Sequence, residues 1–257
     1  MGNQVQHALH RTPEWRISME AHSKPGMARQ TVVVVGGLSG IGRAVAEQAA
    51  AEGARVVAAG RRAAPADWPA AIETARLDIT DEAAVAAFFA ALGPFDHLVS
   101  TAGPVIASHK LAELDLAAAL VAFDSKVFGQ LRLAKHGAAT LRAGGSITLT
   151  SGLLARKAVP GGVVKAAMNA AVEAAAKTLA KELAPLRVNV VSPGMVATGM
   201  WGALSDQERA AMAARAGAGL PLGRVGSTDE LARAYLMVMN NGFMTGAVLD
   251  VDGGGLL

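Results

Sequence analysis

From Thr31 onward, short β-branched runs alternate with longer alanine-rich ones. TVVVV (Thr31–Val35), ARVVAA (Ala54–Ala59), DHLVS (Asp96–Ser100), SITLT (Ser146–Thr150), RVNVV (Arg187–Val191) and AVLDV (Ala247–Val251) are nearly continuous in apolar character. A strand covered on one face would alternate, so these runs predict strands covered by helices on both faces. TARLD (Thr74–Asp78) predicts a weaker seventh strand. Between the strands the period becomes helical. DEAAVAAFFAAL places Val85, Phe88, Phe89 and Leu92 on one face, with Asp81 and Glu82 in the first turn, where negative charge complements the helix dipole. Gly93-Pro94 ends that helix, and Val163–Leu183 predicts a long one that stops before Pro185. Strand–helix alternation of this kind predicts an α/β fold: a doubly wound, seven-stranded parallel sheet with right-handed crossovers. No repeat or linker interrupts it, so residues 30–257 are expected to form one domain.

Composition narrows the function classes. Of 257 residues, 52% are apolar and only 18% charged, which suits a large core. Residues 1–29 differ: they are polar, lack the apolar stretch of a signal peptide and predict a flexible tail in which Met19 or Met27 are alternative starts. His7, His10 and His22 in that tail have no carboxylate or thiol cluster beside them, and His97, His109 and His136 are scattered, so no metal site is expected. A net charge of +3 is too small to point to nucleic acid. No run approaches the roughly 18 apolar residues of a membrane span. The absence of cysteine removes disulfides and thiolate chemistry, and fits a cytoplasmic protein.

The first chemical signal is VVVVGGLSGIGRAVAEQ. A strand runs into Gly36, Gly40 and Gly42 and a helix opens at once, an arrangement that lets backbone amides at the helix start approach a pyrophosphate. With its ordered companions, this segment resembles the short-chain dehydrogenase/reductase family, whose first motif is TGxxxGIG. Val35 stands where that motif has threonine, so one bracing hydroxyl is missing. LDIT (Leu77–Thr80) resembles the segment that holds adenine, through the Asp78 side chain and the Ile79 backbone. STAG (Ser100–Gly103) resembles NNAG with both asparagines replaced, and SPGMVAT (Ser192–Thr198) resembles the PGxxxT segment that closes over the nicotinamide. TGAVLDVDGG (Thr245–Gly254) matches the family's last strand and turn, so the resemblance covers about residues 30–255. It implies a Rossmann-type fold and a cofactor contacted by Gly36, Leu38, Ser39, Gly40, Ile41, Gly42, Asp78, Ile79, Thr101, Ala102, Gly103, Lys165, Pro193, Gly194, Val196 and Thr198. At the end of the second strand, Arg61 and Arg62 replace the carboxylate that would accept from a ribose 2′-hydroxyl, so NADP(H) is expected over NAD(H).

The reacting end departs from the family. Ser151 matches the serine that hydrogen-bonds a substrate carbonyl, and Lys165, in VVKAAMNA, the lysine that holds the nicotinamide ribose. The family's tyrosine belongs four residues before that lysine, where Gly161 stands, and Tyr235 is the only tyrosine in the chain. The family's asparagine position, in FDSKVFG, is Lys126, and the interval from Ser151 to Lys165 is shortened. Losing a proton donor of this kind typically costs about 10²–10⁴-fold in rate. Three outcomes remain open. The substrate can need little help with its proton, as for a C=N or activated C=C group. Another group can donate: Lys126 and Lys165, if adjacent, would disfavour each other's charge and lower one pKa toward neutrality, unless the Lys126 ammonium simply turns to solvent. Or the chain binds NADP(H) without hydride transfer, as a scaffold, regulator or non-redox catalyst. Apart from these three stands a protein that binds no dinucleotide. Met195, Met200, Met212, Met237, Met239 and Met244 are expected to fill the core and substrate loop. Residues 201–217 fall where the family covers its substrate, with Met200 and Trp201 as candidate pocket walls. The resemblance also implies a homodimer or homotetramer paired through the fourth and fifth helices, the second being the alanine-rich Val163–Leu183.

Overall fold

A computed structural model describes residues 27–198 and 205–257. Seven parallel strands form one sheet in the order β3-β2-β1-β4-β5-β6-β7. They are β1 (Thr31–Val35), β2 (Arg55–Gly60), β3 (Glu73–Arg76), β4 (Phe95–Ser100), β5 (Leu141–Thr150), β6 (Arg187–Pro193) and β7 (Val248–Val251). Among the described residues the α-helices are α1 (Gly40–Ala51), α2 (Glu82–Leu92), α3 (Leu116–Phe123), α4 (Gly129–Ala138), α5 (Val163–Glu182), α6 (Asp206–Gly217) and α7 (Thr228–Asn240).

The two-residue side-chain period of β1 divides its valines between two cores. Val33 and Val35 pack with Phe89, Leu133, Met168 and Val172 from α2, α4 and α5. Val32 and Val34 pack with Ala44, Val45, Leu231 and Tyr235 from α1 and α7. This two-sided burial is why the strands read as unbroken apolar runs. The chain leaves β1 toward β2 and β3, then returns to add β4 on the other side. That reversal opens a crevice beyond the carboxyl ends of β1 and β4, where open parallel sheets bind ligands.

Local signals hold at α2, where the Asp81 carboxylate accepts from Ala84 N–H at 3.0 Å and Gly93 caps the other end. Three strands differ from the sequence expectation by more than one residue at an end. β5 begins at Leu141, five residues before Ser146, because Phe95 pairs with Leu141 and the register then shifts before His97 meets Ser146. β6 runs on to Pro193, paired with Val251, and β3 is shorter than Thr74–Asp78, ending at Arg76. The expected tail also overreaches. Met27 is fully buried in the α1-side core and Gln30 bonds His97, so the folded body includes residues from Met27. His7, His10, His22, Met200 and Trp201 lie outside the described residues.

Candidate functional site

A cleft of about 890 Å³ opens at the crevice between β1 and β4. Its floor is the turn from Gly36 to Gly42. Gly36 and Gly37 N–H donate to the Ala59 carbonyl at 2.8 and 3.3 Å, which ties the turn to β2. At Gly42 a Cβ would stand 2.3 Å from the Gly36 oxygen and 2.4 Å from the Thr101 hydroxyl, so only glycine lets α1 approach this closely. Ser39 is the N-cap of α1 yet makes no side-chain capping bond, and the first turn carries no acid. The helix therefore presents unsatisfied N–H groups and its positive dipole end to the cleft.

Of the residues expected around a cofactor, Gly36, Leu38, Ser39, Gly40, Ile41, Gly42, Arg61, Arg62, Asp78, Ile79, Thr101, Ala102, Gly103 and Thr198 line this cleft. Pro193, Gly194, Val196 and Lys165 do not. Pro193 is buried at the end of β6, Gly194 N–H donates to Val251, and Val196 bridges Gly226, so that segment is held by its own backbone partners. The hydroxyl expected to be missing at Val35 has a substitute: Thr101 Oγ1 donates to the Val35 carbonyl at 3.4 Å. Arg61 and Arg62 are exposed at the end of β2, with Arg62 Nη2 3.5 Å from Ser39 Oγ. The Asp78 carboxyl is held below its usual range by the Thr80 N–H and hydroxyl and by the nearby Arg61 charge. Val105, Ser125 and Thr150 also line the cleft; no motif marked them, because they come from a loop, a helix turn and a strand end that meet only in the fold.

At the reacting end Lys126 sits in a π-helical turn, Asp124–Phe128, that joins α3 to α4. Such turns recur at functional sites because they redirect a side chain within a helix. Buried Gln130 locks the turn to β5: its amide donates to the Lys126 and Thr150 carbonyls at 2.9 and 3.2 Å, and its oxygen accepts from Thr150 N–H at 3.0 Å. Lys126 Nζ donates to the Ser151 carbonyl at 3.4 Å, and its chain packs beneath Gly103. Burial pushes this ammonium down to about 8. The expected mutual repulsion with Lys165 is not the cause, since Lys165 Nζ donates instead to Ser108 Oγ at 2.9 Å. Nor does Lys126 turn to solvent.

Ser151 is where the structure departs most from expectation. It is buried, and its Oγ donates to the Glu173 carboxylate at 2.9 Å. A hydroxyl has one proton, so in this arrangement Ser151 cannot also donate to a substrate carbonyl. Glu173 is in turn held by Arg156 Nη2 at 3.3 Å, and the same guanidinium bonds Ser192 and pairs with Asp250. The loop after β5 is thus anchored to α5, β6 and β7. Tyr235 is fully buried on α7, with its hydroxyl 2.6 Å from Thr150 Oγ1; burial raises its pKa and removes it from the cleft.

A glycine turn at the switch point of a parallel sheet, a bare helix start and arginines at the end of β2 together define a Rossmann-type nucleotide-binding fold. The chain belongs to the short-chain dehydrogenase/reductase family and is an oxidoreductase of that type. Residues 36–255 match the family model described as Enoyl-(Acyl carrier protein) reductase. It is 33% identical over 265 residues to Short-chain dehydrogenase/reductase ATR9 of Stachybotrys chlorohalonatus, covering 91% of this chain and 99% of that protein. It is 34% identical over 244 residues to cis-4-hydroxycyclohexanecarboxylate dehydrogenase of Sinomonas cyclohexanicum, covering 88% and 96%. A solved small-chain dehydrogenase in complex with NADPH is 44% identical, with a TM-score of 0.78 over 88% of this chain and 98% of that one. Among the described residues, no helix is long and apolar enough to cross a membrane.

Proposed function

We propose that this protein is an NADP(H)-dependent reductase with an atypical reacting end, acting on a C=N, activated C=C or C=O group of a small molecule. The observation that carries the reading is the cleft itself, where the uncapped start of α1 and two guanidiniums face one space. The α1 amides would hold the pyrophosphate, with Gly36, Gly40 and Gly42 allowing its approach. Arg61 and Arg62 would hold a 2′-phosphate by charge and fork geometry. The solved relative in complex with NADPH supports the use of this cofactor. Asp78 and Ile79 would flank adenine. Thr101, Ala102, Gly103 and Thr198 would line the path toward the nicotinamide, and Pro193, Gly194 and Val196 would shape the backbone that leads to Thr198. Lys165 would hold the ribose. When bound, a reduced nicotinamide supplies the hydride. Lys126 would set a positive charge under Gly103, which favours negative charge developing on the substrate.

The test has two parts. Calorimetry with NADPH and NADH should show tighter binding of NADPH, and Arg61→Ala with Arg62→Ala should erase most of that difference. Oxidation of NADPH with a panel of imines, enones and ketones should rise above background for at least one class. A second reading, binding without hydride transfer, is favoured by one observation: the Ser151 proton is committed to Glu173. Heat with NADPH but no turnover across the panel would select it. No heat with either nucleotide would sink both.

We also infer a homodimer or homotetramer and a cytoplasmic setting. The first is supported by a groove of about 510 Å³ on the outer faces of α4 and α5, where Phe128 is half exposed beside Leu131, Leu179 and Leu183. The second is supported by the lack of cysteine.

A further inference from the structure

The segment from Thr101 to Asp115, between β4 and α3, lies against the start of α5, and two bonds hold it there. His109 N–H donates to the Gly161 carbonyl at 3.2 Å, and Lys165 Nζ donates to Ser108 Oγ at 2.9 Å. Gly161 is four residues before Lys165, where the family carries its tyrosine. It adopts φ +80°, and a Cβ there would stand 3.5 Å from the nitrogen, carbonyl carbon and oxygen of His109. A side chain at this position would leave the backbone toward His109 of the strap. The hydroxyl beside the lysine ammonium belongs to Ser108.

We propose that Ser108 is the proton donor of this active site, standing in for the absent phenol, with Lys165 behind it as the relay. This rests on the reductase reading above. A serine hydroxyl alone is a poor acid, but one already accepting a proton from an ammonium can give its own away as the other arrives. As the substrate carbonyl carbon gains hydride, the π pair moves to oxygen, and that oxygen takes the Ser108 Oγ proton. Ser108 Oγ takes one from Lys165 Nζ, and Lys165 regains it from water. Ser108 is exposed and Lys165 only partly buried, so water reaches both. The other candidates are less suited. The Ser151 proton goes to Glu173, and Lys126 Nζ donates to the Ser151 carbonyl.

Four proteins test this: the wild type, Ser108→Ala, Ser108→Thr and Lys126→Met. Amine-reactive labelling of the free protein, read by mass spectrometry at Lys165, needs no cofactor. Alanine should raise that labelling rate several-fold, while threonine keeps it near wild type. With NADPH and a paired ketone and preformed iminium substrate, Ser108→Ala should lower kcat on the ketone by about 10²-fold. The loss on the iminium, which needs no proton, should be at least tenfold smaller, and threonine should restore ketone turnover. Unchanged labelling of Lys165, equal losses on both substrates, or ketone turnover that falls in Lys126→Met but not in Ser108→Ala would overturn the proposal. Calorimetry on the same samples separates the layers. Absent heat with NADPH fails the reductase reading and this one together, whereas heat with undiminished ketone turnover in Ser108→Ala fails this one alone.

Discussion

Replacing Lys126 with methionine tests the electrostatics of the reacting end without touching the glycine turn. The side chains are similar in length, but methionine carries no charge into the enclosure beneath Gly103. Desolvation is the sole cause of the depressed lysine pKa, from 10.5 to about 8, and no carboxylate offsets it. At about 1.4 kcal/mol per unit, the charged form costs the folded state about 3 kcal/mol. Partial exposure of the residue and loss of the bond to the Ser151 carbonyl, worth about 1 kcal/mol, reduce the expected gain to about 2 kcal/mol. The sign with pH follows from linkage. Below about 8 the lysine is charged in both states and the full penalty applies; between about 8 and 10.5 the folded state sheds its proton first and the penalty fades. Urea unfolding of both proteins at pH 7 and pH 10 measures this, and taking the difference cancels groups they share. Lys126→Met should be the more stable at pH 7, and its advantage should shrink by pH 10, while its turnover falls. A variant less stable at pH 7, or an advantage that does not change with pH, would refute the reasoning.

Gly42→Ala places a Cβ 2.3 Å from the Gly36 oxygen; it should cost roughly 1–3 kcal/mol in thermal or urea unfolding and weaken NADPH binding at least tenfold by calorimetry. His97 is buried between Ser146 and Gln30, and burial, then the Arg187 charge, hold it down to about 4 against the opposing pull of Asp96. Because that value lies below the unfolded 6.5, stability is full above 6.5 and falls toward pH 4 by about 3 kcal/mol. His97→Gln should flatten urea midpoints across that window. Tyr235→Phe removes the bond to Thr150 Oγ1 and should cost about 1 kcal/mol by urea unfolding, with NADPH affinity changed less than threefold.

The parts of the fold legible in the sequence are those whose burial is symmetrical. β1 reads as TVVVV because Val33 and Val35 enter one core and Val32 and Val34 the other. The cleft was legible for a related reason: its contacts come from the ends of β1, β2 and β4, and each end carries its contacts within a few consecutive residues. By contrast, α3 escaped because Leu116, Leu120 and Val121 leave apolar side chains on the outer face, so the contrast between faces that marks an amphipathic helix is weak there. The residues of SPGMVAT were adjacent in the chain, yet only Thr198 turns to the cleft, since a motif gives order along the backbone and not which side chain points inward.

The reacting end was the least legible, for a physical reason that reaches beyond the missing tyrosine. Sequence could show that Gly161 lacks a phenol and that Ser151 and Lys165 hold their places. It could not show where their protons go, because the partners are 22 and 57 positions away in the chain. Glu173 claims the Ser151 proton because α5 lays it beside β5, with Arg156 from the shortened loop neutralising it. Ser108 meets Lys165 where the strap passes Gly161, whose carbonyl accepts from His109 N–H. A loss read from a motif alone is only half of the change, and the chemistry of this site turns on the contact between Ser108 and Lys165.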